Sequence, residues 1–355
     1  VIPYPLAPSP NQRKRKTLIH LFGEGDFCLE EGFTPLLDTP FGEKKVAGDI
    51  KLAYTLINRL FFRRSLMSQP QARIGVIGGT GLYDIDGITE VKELYPDTPF
   101  GKPSDAIIVG NLGGIGVAFL PRHGRGHRIS PTEVPSRANI YALKSLGVEF
   151  IISSNSCGSF KEAIKPGHLL IPDQIIDRTR GRTSTFFTGG VVAHISFADP
   201  FCPVLSDIIY QAAKETGATV HEGGTFVAME GPAFSTRAES HLYKSWGADV
   251  IGMTVLPEAK LASEAEICYA SIACVTDYDT WHETHEAVNV ETILTTMRNN
   301  INYAKKTIKL AAGRVPKKRE CACASALRGA IITDPAAIPA AQKKNLDLII
   351  GKYIK

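Results

Sequence analysis

Residues 73–81 read Arg73-Ile74-Gly75-Val76-Ile77-Gly78-Gly79-Thr80-Gly81. A short apolar run that breaks on a glycine cluster is the pattern of a strand buried on both faces, and such strands belong to parallel sheets covered by helices. Comparable runs follow at Gly116–Leu120, Val148–Ser153, His168–Ile171, Asp249–Gly252 and Ala270–Thr276, each ending in Gly, Pro or polar residues. Helical patterns alternate with them. Ser136–Leu146 stops at Gly147, and Val204–Glu215 stops at Gly217 with Val204, Leu205, Ile208, Ile209 and Ala212 on one face. Val290, Ile293, Leu294, Met297, Ile301, Ala304, Ile308 and Ala311 step by three or four, with Asn289 as the expected N-cap. The fold class is α/β.

Composition narrows the function classes. The 355 residues suit one large or two modest domains, and 44% hydrophobic against 21% charged residues is the balance of a globular chain rather than a fibre or a disordered one. No apolar run reaches the ~18 residues of a membrane helix, and a net charge of +4 is too small for a dedicated nucleic-acid binder. Neither a membrane nor a nucleic-acid partner is expected. Seven cysteines are too few for a disulfide scaffold and point to a reducing, cytoplasmic setting. Cys321-Ala322-Cys323 supplies half of a tetrahedral metal site and has no second pair nearby in the sequence, so solvated thiols or a local disulfide are the expectation.

Three regions are expected: residues 1–70 as a poorly ordered extension, 71–315 as the catalytic domain and 316–355 as a tail. The extension is Pro-rich at Val1–Pro10 and basic at Arg13–Lys16, and Glu24, Asp26, Glu30 and Glu31 disfavour a mitochondrial presequence. Met67 lies just before the first strand, which suggests a functional start there. Asp38–Gly42 recurs as Asp97–Gly101 without wider similarity, so no repeat fold is inferred. Leu348–Ile350 is read as a short pairing segment.

In open α/β sheets, ligands sit beyond the carboxyl ends of the strands. Here those ends are Gly78–Gly81, Arg122–His127, Ser154–Ser159, Met253-Thr254 and Asp277–Asp279. Four of them favour an anion through glycines, hydroxyls and positive charge, and the last supplies two carboxylates. Each also has a plainer reading. Gly79-x-Gly81 lacks the third glycine of a dinucleotide fingerprint, Gly-Arg-Gly between His123 and His127 breaks a zinc helix, and Asp277 and Asp279 also fit a solvated strand end. Their convergence on one sheet edge suits an enzyme that holds phosphate and a nitrogenous base.

The stretches Ile77–Tyr83, Leu120–His127, Met229–Ser240 and Thr276–Asp279 together resemble the methylthioadenosine phosphorylase branch of the purine nucleoside phosphorylase superfamily, in order over about residues 72–312. The resemblance implies a three-layer fold with a mixed, twisted central sheet flanked by helices. It implies phosphate at Thr80, Arg122, His123, Asn155, Ser156 and Thr254, ribose against Met253, and purine against Asp277, Tyr278 and Asp279, with Asp277 as the catalytic acid. Ser235 stands where substrate choice is set. His127, Val290, Ile293 and Leu294 would border the 5' group with His194 of a neighbouring subunit, although the same apolar helix stripe suits a plain core face. The implied reaction is phosphate-dependent cleavage of methylthioadenosine, with inorganic phosphate as co-substrate, no cofactor, no metal, and a homotrimer or homohexamer. The CxC pair resembles that of archaeal-type members, where such cysteines are associated with disulfides. Two departures stand out: Ala233 where Arg is usual, and Asn155 where Thr or Ser is usual. The rival readings are a phosphorylase for inosine, guanosine or methylthioinosine, a non-catalytic nucleotide-binding protein on this scaffold, and an NAD-dependent oxidoreductase.

Overall fold

A computed structural model describes residues 70–79, 81–82, 85–282 and 290–354, with 290–295 described by backbone alone. The expectations for the 1–69 stretch, for Thr80 and for Asn289 lie outside the described residues, as do those for the side chains of Val290, Ile293 and Leu294.

The strands are β1 (Ile74–Gly78), β2 (Ile88–Leu94), β3 (Ile107–Leu112), β4 (Ile115–Pro121), β5 (Phe150–Ser159), β6 (Leu169–Ile171), β7 (Gln174–Arg178), β8 (Val220–Glu222), β9 (Thr225–Met229), β10 (Val250–Gly252) and β11 (Cys268–Tyr278). The helices are α1 (Ser136–Ser145), α2 (Pro203–Glu215), α3 (Arg237–Ser245), α4 (Val255–Glu264), α5 (Val290–Ala312) and α6 (Ala340–Ile350). All the strands join one mixed sheet with the path β2-β3-β4-β1-β5-β10-β9-β7, and β11, β6 and β8 branch from β5.

Side-chain alternation divides the core between the two faces of this sheet. Ile74, Val76, Phe150 and Ile152 pack toward Leu205 and Ile209 of α2 and Ala304 and Ile308 of α5. Ile77 and Ile151 pack the other way, with Ile140 and Leu143 of α1 and Ala259 and Ala262 of α4. The three-layer α/β architecture follows, with helices on both faces of a mixed sheet. No helix among the described residues is long and apolar enough to cross a membrane.

The centre of the sheet is a fork. β5 runs parallel to β1 through Ser153, then meets β10 in antiparallel fashion at Gly158 and Ser159, while its other edge pairs with β11 along the whole length. The expected donor-rich turn at 154–159 is therefore strand, not loop. Its edge toward β1 and β10 is open over residues 154–157, and Ser156 is the one exposed residue in an otherwise buried strand. β11 likewise runs on to Tyr278, beyond the expected end at Thr276.

Two further expectations are corrected at the carboxyl end. Leu348–Ile350 forms the last turn of α6, not a strand, because Leu346, Ile349 and Ile350 line one helical face buried in the main core cluster. The CxC pair does meet a second pair of thiols: Cys202 and Cys268 lie beside Cys321 and Cys323. The 316–355 segment is docked by polar contacts as well. Arg73 donates to the carbonyls of Pro316 and Lys317, and the buried Glu266 carboxylate accepts from the Leu327 amide and pairs with Lys352.

Because Leu346 is fully buried in the main core, Leu346→Ala should cost about 2–5 kcal/mol, read as a lower urea midpoint with an unchanged m-value.

Candidate active site at the fork of the sheet

Arg122 leaves the end of β4 and turns inward. Its Nε donates to Oε1 of Glu258 at 2.5 Å and its Nη2 to Oε2 at 3.1 Å, while Nη2 also reaches Ser153 Oγ at 2.6 Å and Nη1 the Ser154 carbonyl at 3.0 Å. Both partners are buried. Of the five guanidinium protons, one on Nη1 is left for a ligand. Arg122 thus brings a fixed positive charge to the open edge of β5, held by Glu258 from α4. Tyr269 and Ser153 also donate to that carboxylate, so both its oxygens are satisfied.

Asn155 continues the network. Its amide donates to Ser153 Oγ at 3.0 Å and Ser271 Oγ at 2.8 Å, and its oxygen accepts from Thr254 Oγ1 at 2.6 Å. In this arrangement the side chain has no proton left to offer an anion, and it aims Thr254, the residue that caps α4, into the same region. A small pocket shared by Arg122, Thr254, Glu258, Arg182 and Ser136 lies there.

His123 is neutral. Burial and the neighbouring Arg122 charge push its pKa down to about 4, and its Nδ1 must carry the proton that it donates to the Ile129 carbonyl at 2.8 Å. The sequence suggests a switchable positive charge at this position; the fold instead leaves an Nε2 lone pair, suited to a protonated anion oxygen. His127 is exposed, has φ of 53°, and stacks on His123 with centroids 4.4 Å apart.

The carboxylates collect at the far end of β5. A Cβ on Gly158 would lie 3.0 Å from Asp277 Oδ2, 3.3 Å from Asp279 Cβ and 3.4 Å from Ile251 Cγ2. Gly158 is three residues past Asn155, roughly 10 Å along the strand, which is about the span of an anion placed beneath a nucleoside. Burial pushes the Asp277 pKa up to about 6; Thr276, donating at 2.6 Å, opposes the rise and Asp279 adds to it. Burial also raises Asp279, with the Ser240 and Ser235 hydroxyls acting the other way, and its Oδ2 has no hydrogen-bond partner. Met253 follows β10 and packs its thioether over Gly231, and Ser235 is buried against the Met229 sulfur.

Two expected residues are not brought to this cluster by the described contacts. Tyr278 points its ring into an apolar group with Phe160, Tyr243 and Trp281 and donates to the Glu162 carbonyl. His194 is exposed in a segment joined to the carboxyl-terminal part of the chain through the Ala330 carbonyl.

Sequence reading missed Glu258 and Arg182. Glu258 sits in an otherwise apolar stretch, Val255-Leu256-Pro257 before it and Ala259 after, and a buried acid needs a cation. Arg182 carries no comparable signal. Its nearly buried guanidinium binds the carbonyls of Met229, Glu230, Met253 and Leu256, tying the ends of β9 and β10 together.

Comparison with known proteins gives a consistent result. The family model of the phosphorylase superfamily matches residues 73–312. The S-methyl-5'-thioadenosine phosphorylase of Geobacter sulfurreducens is 60% identical over 282 residues, covering 79% of this chain and 99% of the relative. The S-methyl-5'-thioadenosine phosphorylase of Koribacter versatilis is 53% identical, covering 80% and 97%. Among solved structures, a methylthioadenosine phosphorylase from an antarctic soil metagenomic library superposes with a TM-score of 0.76 at 46% identity, covering 79% of this chain and 99% of that one. An adenosine/methylthioadenosine phosphorylase variant from Schistosoma mansoni, in complex with adenine, gives 0.67 at 34% identity, covering 79% and 98%.

Removing only one member of the buried ion pair should be costly. Glu258→Gln leaves the Arg122 charge without a counterion and is expected to lower unfolding free energy by about 3–5 kcal/mol in urea titration, well beyond an ordinary surface substitution.

Proposed function

The chain belongs to the phosphorylase superfamily, and from that premise we propose that it is a pentosyltransferase that cleaves S-methyl-5'-thioadenosine with inorganic phosphate, giving adenine and 5-methylthioribose-1-phosphate. The observation that carries this reading is a pair of carboxyls, the half-buried Asp277 and the buried Asp279, set about 10 Å along β5 from the Arg122-Ser153-Asn155-Thr254 network. Nucleoside and phosphate alone balance the reaction, so no organic cofactor is called for.

A phosphate oxygen attacks C1' as the C1'–N9 bond breaks, and the electron pair of that bond leaves with the purine. Positive charge grows on the ribosyl ring and negative charge on the base. The dianion beneath the sugar answers the first. The role of holding it in line, which makes the step close to unimolecular, we assign to Arg122, the Ser156 edge of β5, Thr254 and His123, together with Thr80 from the resemblance in sequence. Asp277 answers the second by delivering its proton to N7, and Asp279 accepts from the 6-amino group. A pKa of about 6 suits that role, since an acid poised near the working pH both holds its proton and releases it readily. Met253 packs on the ribose, and Asn155 acts through Thr254.

To Val290, Ile293, Leu294 and His127, with His194 of a neighbouring subunit, we assign the wall around the 5' group, and to Ser235 a place beside the base. An apolar wall discriminates methylthio from hydroxyl by only about 1–3 kcal/mol, so adenosine is a slower substrate rather than an excluded one. A site shared between subunits makes the working enzyme a homotrimer or homohexamer. Phe234, Leu242 and Trp246, exposed before, on and just after α3, support such an association. Its setting is the cytoplasm.

Incubation with methylthioadenosine should release adenine and methylthioribose-1-phosphate only when phosphate is present. Faster release of hypoxanthine from inosine would replace this reading with the inosine one, and binding without turnover would replace it with a non-catalytic one.

Asp277→Asn should cost on the order of 10²–10⁴ in kcat/KM. In the parent chain at saturating phosphate, kcat/KM should fall as pH rises through about 6, where Asp277 loses its proton, and that limb should be missing in the variant. Stability should fall over a similar pH range. A folded pKa near 6 against an ordinary value of 3.8 means that the native state binds more protons between those limits, so this group's contribution is full below pH 3.8 and is lost by about pH 6. Asp277→Asn removes the penalty and should raise stability at pH 7 by on the order of 1–3 kcal/mol.

A further inference from the structure

Cys202, Cys268, Cys321 and Cys323 converge at the opposite end of β11 from Asp277, and their sulfur atoms all lie within 4.8 Å of one another. They come from three separate segments. Cys202 is the residue before α2, Cys268 opens β11, and the other two flank the first residue of a short 3-10 turn in the carboxyl-terminal segment. Cys202 and Cys268 are buried, and Cys321 and Cys323 are half-buried against the same apolar cluster.

We propose that these four cysteines form a structural zinc site that clamps the carboxyl-terminal segment to the root of β11. Two disulfides would require each sulfur to be near one partner, whereas here each is near three. That mutual arrangement is what a central ion demands. Tetrahedral zinc with Zn–S bonds of about 2.3 Å sets sulfur–sulfur separations of about 3.8 Å. Cys268 and Cys321 at 3.3 Å and the 4.8 Å limit of the group bracket that value. Four thiolates from a partly enclosed apolar pocket select a soft, tetrahedral ion and leave no coordination position for water, so the site is structural rather than catalytic. Its surroundings fit. Cys202 lies at the N-terminus of α2, where the helix dipole favours a thiolate. Cys202 and Cys268 are also locked to each other's neighbourhood, since the Cys202 amide donates to the Tyr269 carbonyl at 2.8 Å. On the other side, Arg319 donates to the Glu266 carbonyl, so the chain entering Cys321 is already anchored two residues from Cys268. Binding converts four thiols to thiolates and releases their protons, with no change of oxidation state.

The test is metal analysis of the full-length chain, purified without chelator in the presence of a non-thiol reductant and then dialysed against zinc-free buffer. One zinc per chain, reduced at least tenfold in the Cys321→Ser/Cys323→Ser double variant, is the expected result. Replacing zinc by cobalt in the parent chain should produce the intense visible bands of a tetrahedral thiolate site, a readout that does not depend on the variant folding. Chelation of the parent chain should lower its Tm, and added zinc should restore it. Metal-free protein that takes up neither zinc nor cobalt overturns the proposal, as does recovery of the four residues as two disulfides under these conditions, or iron in place of zinc.

Discussion

The fork in β5 is the constraint on which the site depends. A strand that exchanges one neighbour for another must leave a stretch of its edge unpaired, and unpaired backbone inside a protein needs partners from elsewhere. Arg122 supplies one by donating to the Ser154 carbonyl, and Glu258 holds Arg122 in place. A buried ion pair of this kind gains little over well-packed apolar residues because desolvation consumes most of its attraction. What it provides is position. The charge cannot swing away, and the open backbone around Ser156 stays available to a ligand at the point where an α/β sheet offers one.

The two ends of this gap have opposite electrostatic character, and one physical cause accounts for both. Removal of water makes an isolated charge costly, so every group there either keeps a partner or becomes neutral. Arg122 keeps its charge through Glu258. His123, pressed against that charge, gives up its own, and Asp277 and Asp279, with few donors around them, hold their protons more tightly. These electrostatics suit the proposed reaction, with an anion at one end and a base that gains negative charge at the other. Asn155 illustrates how firmly this is set: both its amide protons and its oxygen bond neighbouring hydroxyls, so its link to the rest of the gap runs through Thr254.

Much of this was legible in the sequence because the central strands are buried on both faces and read as apolar runs. The glycine and polar clusters after them mark the functional edge for the same reason, and Arg122, Thr254, Asp277 and Asp279 were found there. Edge strands such as β2 and β7, half-exposed and polar, carry no such signal. The end of β5 was misread because Ser, Asn and Gly look like a turn, and only pairing with β11 and β10 makes that segment a strand. The roles of Glu258 and Arg182 depend on contacts more than 45 residues apart in the chain, and the neutrality of His123 depends chiefly on its burial, neither of which local patterns encode. The CxC pair was judged by its sequence neighbours, whereas its partners in space are Cys202 and Cys268.

The aim of Asp277 depends on a similar hidden feature. The β5–β11 register slips between Val275 and Asp277, so that Val275 faces Cys157 and Asp277 faces Gly158, with Thr276 as the extra residue. A bulge of this kind turns the following side chains relative to the sheet, and its loosened backbone needs other partners. Here the Val275 carbonyl accepts from Asn300 on α5 and from the Gly167 amide, while Thr276 Oγ1 lies 3.2 Å from the Cys157 carbonyl and 2.6 Å from Asp277 Oδ1. The carboxyl then comes to rest where a Cβ on Gly158 would crowd it at 3.0 Å. Bulge and glycine are thus two halves of one device. A regular ladder would set Asp277 opposite Ser159, and a bulge without the glycine would crowd the carboxyl that it delivers.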